Sequence, residues 1–173
     1  NTDTGLIITA GQQRVTGQRI AMLAAQLAST EDSAEIVRLQ SQLGRALYQF
    51  ENLHHLVSSG EGEVHPLSET TRSILEQPPY QLNVYTDEYI TLTRALLTTS
   101  FMDIADAGET IDALIAASIP VDVGISRIVT QLRDERRERV QSLLNLELGM
   151  TIATLIGLGT VGLGILLPLQ GRM

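Results

Sequence analysis

The residue whose type and position best suit chemistry is Arg14, within the segment IITAGQQRVTGQRIA that covers residues 7–21. At helical spacing, one face of this segment carries mostly small side chains around a single guanidinium. Its members are Ile7, Gly11, Arg14, Gln18, Ala21, Ala25 and Ala28. Small side chains let a second helix approach closely, so we expect Arg14 to lie partly desolvated and to need a counter-charge. The candidates within the chain are Asp103, Asp106 and Glu135.

Composition excludes most other kinds of site. The 173 residues include no cysteine, and all 12 basic residues are arginine, which leaves no thiol nucleophile, disulfide, zinc ribbon or Schiff-base lysine. A net charge of -8 without a basic patch argues against binding to nucleic acid. Adjacent His54 and His55 point in different directions on a helix and His65 lies in a loop, so solvated roles are favoured over a metal site. Phosphate-loop, nucleophile-elbow and Rossmann motifs are absent, and we expect no catalytic residue, cofactor or metal.

Long helices with few breaks must position Arg14. The sequence predicts helices at about 4–28 and 33–57, a short helical turn at 68–76, a third long helix from 83 to about 107, and a helical piece at 111–118. Pro120 suits the first turn of a final helix, where its missing N–H is not needed. Since no segment alternates with period two, we predict an all-α fold. The expected architecture is an antiparallel four-helix bundle whose last helix continues into a C-terminal transmembrane helix.

The segment from Leu148 to Gly171 carries no charge. As a helix it would be about 36 Å long, enough to cross a hydrocarbon core of roughly 30 Å. We therefore predict a helical-bundle domain over residues 1–145, a transmembrane helix over 146–170 and the start of a cytoplasmic linker at 171–173. We also expect a further membrane segment before Asn1. The count of arginines favours the opposite orientation, because four precede the span and only Arg172 follows it.

Residues 7–21 resemble the opening motif of the type IV pilus methyl-accepting chemotaxis transducer N-terminal domain, and of the related periplasmic domain of nitrate/nitrite sensor kinases. The family pattern is approximately N-x-A-G-x-x-R-M-x-S-x-R. Ala10, Gly11, Arg14 and Arg19 match it, Gln13, Gln18 and Ala21 fit its pilus-type version, and Ile8, Val15 and Gly17 depart from it. The far end is similar to the family as well, through Arg139-Val140, the segment LLNLELGM, the glycine-rich span, Leu167-Pro168-Leu169 and Arg172.

The resemblance implies a sensor module of a bacterial inner-membrane receptor, with the bundle in the periplasm and a histidine kinase, diguanylate cyclase or chemotaxis domain as output. In the resembled sensors, the arginine of this motif comes from both subunits of a homodimer, and the two clamp one small anion. It therefore implies a ligand site at Arg14, Gly11, Gln18 and Ala10, with nitrate or nitrite as ligand. The expected partners are this anion, a second copy of the chain and the lipid bilayer. Arg19 lies off the face of Arg14 and is expected in a surface or intersubunit salt bridge.

The alternative hypothesis is a membrane-anchored helical scaffold, or a subunit of a larger complex, that binds no ligand. This hypothesis predicts that a carboxylate of the same chain satisfies Arg14. An enzyme is the least favoured class for the segment, because no nucleophile, base or group of metal ligands stands out.

Overall fold

The computed structural model describes residues 5–61, 66–99 and 107–170, with side chains as far as residue 156. Within these ranges the chain is all-helical and contains no strand, which confirms the all-α prediction. The helices are α1 (Gly5–Ser29), α2 (Ser33–Ser59), α3 (Glu69–Glu76), α4 (Leu82–Thr98) and α5 (Gly108–Gln170). Two compact units divide the chain, Asn1–Arg133 and Asp134–Met173. Helix α5 contributes residues to both units.

Helices α1 and α2 form a hairpin in the first unit, because only residues 30–32 connect them. Asp32 caps α2, since its side chain accepts a hydrogen bond from the N–H of Ala34 at 3.0 Å. At the other end, Gly60 has a left-handed conformation with φ of 67°, and its N–H donates to the carbonyl of Leu56. Both helices agree with their predicted bounds to within two residues.

The core of the first unit is aliphatic, with two aromatic rings inside it. Phe50 of α2 and Tyr89 of α4 are fully buried and meet edge to face, with ring centroids 5.6 Å apart. Gly17 of α1 lies against them: a Cβ at this position would be 3.2 Å from a ring carbon of Phe50. The hydroxyl of Tyr89 donates a hydrogen bond to the Gly17 carbonyl at 2.8 Å. The small size of Gly17 therefore has a packing reason, because α1, α2 and α4 meet there.

Helix α5 begins at Gly108 and passes through Pro120 without a break. This corrects the prediction of a separate piece at 111–118 and a new helix at Pro120. A proline disfavours a helix interior by about 3 kcal/mol, whereas burying one large aliphatic side chain contributes about 1.5–3 kcal/mol. The buried face of α5 continues on both sides of the proline, with Ile111, Leu114, Ala117, Val121, Ile125, Ile128 and Leu132 at spacings of three or four. The free energy gained by packing this face therefore outweighs the cost of Pro120 inside the helix.

Helix α4 ends at Thr98, earlier than the predicted end near residue 107. The hydroxyls of Thr98 and Thr99 donate to backbone carbonyls one turn earlier, at distances of 2.9 to 3.2 Å. Such local bonds offer the backbone an alternative to continued helix. Residues 100–106 lie outside the described part of the chain.

The second unit is the C-terminal part of α5, and its described apolar side chains are exposed on all faces of the helix. The large ones are between 47% and 66% exposed: Val140, Leu143, Leu144, Leu146, Leu148, Met150, Ile152, Leu155 and Ile156. A helix with apolar side chains all round is typical of a membrane span or of the interior of a larger protein. Among the described residues, α5 is the one helix long and apolar enough to cross a membrane, judged by length and composition.

Candidate functional site

A cavity of about 330 Å³ lies in the first unit between α1, α4 and α5. This volume is at the lower end of the range of roughly 300–1,000 Å³ that small-molecule sites occupy. Its polar lining comes from Arg14 and Gln18 of α1 and from Ser118 and Asp122 of α5. The remaining walls are mainly apolar, and they include Ala21, Ile119, Val123 and Ile125. The cavity is therefore sized for a small molecule with both polar and apolar parts.

Arg14 and Asp122 form a two-point ion pair that joins α1 to α5. The Arg14 Nε donates to Asp122 Oδ1 at 2.8 Å, and Nη2 donates to Oδ2 at 3.1 Å. Gln18, one turn further along α1, donates through Nε2 to the same Oδ1 at 2.9 Å. The Arg14 side chain is 45% exposed and that of Asp122 is 32% exposed. The pair is therefore accessible to a solute that enters the cavity.

Both members of the pair are held in their charged forms. The hydrogen bond from Arg14 holds the pKa of Asp122 below its ordinary value, and the bond from Gln18 acts in the same direction, although partial burial opposes both. The same pairing with Asp122 raises the pKa of Arg14. The cavity consequently offers one positive and one negative group side by side, with no net charge from the two together.

Each polar group of the cavity keeps hydrogen-bonding capacity beyond the pair. Arg14 uses its Nε–Nη2 edge for Asp122, and its Nη1 bonds to no residue that the structure describes. A guanidinium carries five N–H donors, so its outer edge stays available for a planar oxyanion. Asp122 Oδ2 accepts one hydrogen bond from the described residues and has a second lone pair. Ser118 donates its hydroxyl proton to the Ile115 carbonyl at 2.6 Å, which leaves its oxygen as an acceptor.

The four predicted ligand-binding residues do not stay together in the structure. Arg14 and Gln18 both line the cavity and both bond to Asp122. Ala10 is fully buried in the core. Gly11 lies in a separate groove of α1 that also contains Arg19. Neither residue lines the cavity, because Ala10 is enclosed by the core and Gly11 lies before the point on α1 that Asp122 of α5 contacts.

The counter-charge of Arg14 is Asp122, which is not among the three predicted carboxylates. Of those three, Glu135 belongs to the second unit and pairs with Arg139, and the other two lie in residues 100–106, outside the described part. A usable signal exists, because Asp122 is the one charged residue in the apolar run ALIAASIPVDVGI over 113–125. The predicted helix start at Pro120 hides this signal, because it places Asp122 in a first turn, where acidic residues are common.

A second group of buried polar side chains lies between α1, α2 and α4. The fully buried Gln13 bonds through Nε2 to His54 Nδ1 at 3.0 Å. Burial lowers the pKa of His54, although Asp87 and Asn83 act in the opposite direction, so the ring is neutral near pH 7. Among the residues that the structure describes, the oxygens Gln13 Oε1, Asn83 Oδ1 and Thr86 Oγ1 have no hydrogen-bond partner. This group therefore makes the core beside α1 sensitive to protonation.

Metal binding finds no support in the described ranges. No group of three or more His, Asp or Glu side chains there is arranged to hold a metal ion. His54 and His55 differ as expected for neighbours on a helix, the first half-buried and the second exposed. The third histidine, His65, lies outside the described residues.

Comparisons with known proteins do not assign a family. No family model matches the sequence, and neither a curated protein nor a solved structure is significantly similar to it. The resemblance of the two ends of the chain to the chemotaxis-transducer and nitrate-sensor family stays a prediction.

Proposed function

We propose that this chain is the ligand-sensing input module of a bacterial membrane-bound signal-transduction receptor. The observation that carries the proposal is the cavity at Arg14, Gln18 and Asp122, whose polar groups keep unused donors and acceptors. One wall of this cavity belongs to α5, the helix that also contains the uncharged segment. A ligand that alters how α1 is held against α5 thus acts on the helix that is proposed to enter the membrane.

In this proposal, α1, α2, α4 and the first-unit part of α5 form an antiparallel four-helix bundle. The α1–α2 pair supports this, because Gln13 meets His54 while Gly17, further along α1, meets Phe50, which is earlier in α2. The bundle faces the periplasm of the inner membrane and works as a homodimer. Its output is a histidine kinase, a diguanylate cyclase or a chemotaxis signalling domain. These assignments rest on the family resemblance.

The ligand is a small molecule with a planar oxyanion group, bound at the outer edge of Arg14. Nitrate and nitrite are the simplest members of this class. A clamp made from Arg14 of two subunits would bring two Asp122 carboxylates to the same anion, and their repulsion would oppose binding. A site within one chain brings one carboxylate near the anion instead of two, so the repulsion between two carboxylates does not arise.

A second candidate function is the ligand-free membrane scaffold. The observation that favours it is the Arg14–Asp122 pair itself, since this hypothesis expects a carboxylate of the same chain to satisfy the arginine. Under this reading the cavity is a gap beside a structural ion pair. Ligand binding decides between the two functions.

The test is isothermal titration calorimetry on the 173-residue chain in detergent micelles, with nitrate, nitrite, simple carboxylates and amino acids. We expect at least one of them to bind, and Arg14→Ala to weaken that binding at least tenfold. Arg19→Ala is the matched control, because Arg19 is an exposed arginine on the same helix outside the cavity. If no compound binds, or if Arg14→Ala binds equally well, the sensor proposal is wrong and the scaffold is favoured.

A further inference from the structure

We propose that the cavity between α1, α4 and α5 binds a small zwitterion, an aliphatic α-amino acid, with its carboxylate on Arg14 and its ammonium on Asp122. This inference rests on the proposed sensor function and names the ligand class of the same site. The observation behind it is that the two charged groups of the cavity have opposite signs and are bonded to each other at 2.8 and 3.1 Å.

The charge balance of the pair selects against ligands with one charge. A simple anion at the outer edge of Arg14 lies close to the Asp122 carboxylate, and a simple cation at Asp122 lies close to the guanidinium. Each of these singly charged ligands is attracted by one member of the pair and repelled by the other. An α-amino acid carries an ammonium and a carboxylate on the same carbon, so each charged group can face the opposite charge of the pair. The preference is strongest at the partly buried wall of the cavity, where water screens the charges least.

The hydrogen-bond inventory of the cavity fits both ends of an α-amino acid. The carboxylate needs donors in a plane, and the outer edge of the Arg14 guanidinium provides them. The ammonium has three N–H donors and needs acceptors. Three lining residues supply them: Asp122 through Oδ2, Gln18 through the amide oxygen left when Nε2 donates to Asp122, and Ser118 through its hydroxyl oxygen.

The remaining walls point to an aliphatic side chain on the ligand. Ala21, Ile119 and Val123 line the cavity with apolar side chains, and the last two are 64% and 51% exposed. The hydroxyl of Tyr89 is committed to the Gly17 carbonyl and its ring is fully buried, so Tyr89 adds no polar group to the cavity. Burying a ligand side chain against these residues contributes in proportion to the apolar area removed from water. A volume of about 330 Å³ is compatible with a single amino acid.

The experiment is calorimetry on the full chain in detergent micelles with L-leucine, 4-methylpentanoate and isopentylamine. The second compound lacks the ammonium of leucine and the third lacks the carboxylate. We expect L-leucine to bind at least tenfold more tightly than either analogue. Glycine should bind more weakly than leucine, because it leaves the apolar wall uncovered.

Substitutions at the pair test the assignment of each end. Asp122→Asn should reduce the affinity for L-leucine at least tenfold and bring it close to that for 4-methylpentanoate. Asp112→Asn, an exposed carboxylate on the same helix and outside the cavity, should leave both affinities unchanged. Thermal unfolding of each variant checks that the helical unit still folds.

The outcomes separate this inference from the sensor function. If nitrate or 4-methylpentanoate binds as tightly as leucine and depends on Arg14, the zwitterion assignment is wrong while the sensor proposal holds. If isopentylamine binds best, the assignment of the carboxylate to Arg14 is wrong. If neither an amino acid nor any oxyanion binds, both proposals fail together.

Discussion

Removing Arg14 and Asp122 singly and together measures how strongly the pair joins α1 to α5. Exposed ion pairs contribute about 0.2–1 kcal/mol. The two-point geometry and the additional bond from Gln18 put this pair at the upper end of that range. The fractional exposures of 45% and 32% argue against the loss of about 3–5 kcal/mol that follows when one partner of a buried pair is removed. We therefore expect a coupling free energy of about 1 kcal/mol.

The assay is urea unfolding of the full chain in detergent micelles, comparing the parent with Arg14→Gln, Asp122→Asn and the double variant. The slope of the unfolding free energy against urea concentration should be the same in all four proteins, so that differences in the midpoints report differences in stability. Because the pKa of Asp122 is lowered in the folded chain, the coupling should be present above the ordinary carboxyl pKa and lost as pH falls through the lowered one. A coupling near zero at pH 7, or one above about 3 kcal/mol, would refute an accessible pair.

Three further predictions concern the core and the second unit. Gly17→Ala should lower the free energy of unfolding by about 1 kcal/mol, because crowding against the neighbouring ring exceeds the gain in helix propensity. Gly11→Ala, whose Cβ would meet nothing within 4 Å, should raise the free energy of unfolding by up to about 1 kcal/mol. Both glycine variants are measured by the same urea unfolding assay. Because burial lowers the pKa of His54 below its ordinary 6.5, stability should fall as pH drops below 6.5 and through the lowered pKa. His54→Gln should flatten this dependence below pH 6.5, and His55→Gln should not. Ile156→Asp should reduce retention in carbonate-washed membranes, since an acidic residue near the centre of a span costs about 2.5–3.5 kcal/mol, whereas the same change at an exposed position of α1 should not.

Local sequence signals are sufficient for the α1–α2 hairpin. Its bounds follow from the apolar periodicity, from Asp32 as the cap of α2 and from Gly60 in the left-handed conformation at its end. The same signals fail for α5, because Pro120 reads as a helix start. Whether a proline is tolerated inside a helix depends on how much surface its neighbours bury, and that surface belongs to other helices.

Part of the candidate site can be predicted from local sequence patterns, and the rest depends on how the helices pack. Arg14 and Gln18 are one turn apart on α1, so the helical pattern of residues 7–21 is enough to group them. Asp122 follows Arg14 by more than a hundred residues, and only the packing of α5 against α1 brings them together. Ala10 enters the predicted site through the family motif alone, and its burial in the core shows that its small size serves helix packing.

The weakness of the Arg14–Asp122 pair is what makes it useful to a sensor. Helix α5 is held in the first unit by a row of buried aliphatic residues, each worth about 1.5–3 kcal/mol, so its docking does not depend on a pair worth about 1 kcal/mol. A ligand that takes over one or both partners can therefore change the contact between α1 and α5 without unfolding the unit. The ligand must supply a free energy similar to the coupling of the pair, about 1 kcal/mol. This corresponds to a fivefold shift in the populations of the two arrangements of α1 and α5. Both side chains of the pair are partly exposed, so solutes can reach them, and the binding experiments examine this accessibility directly.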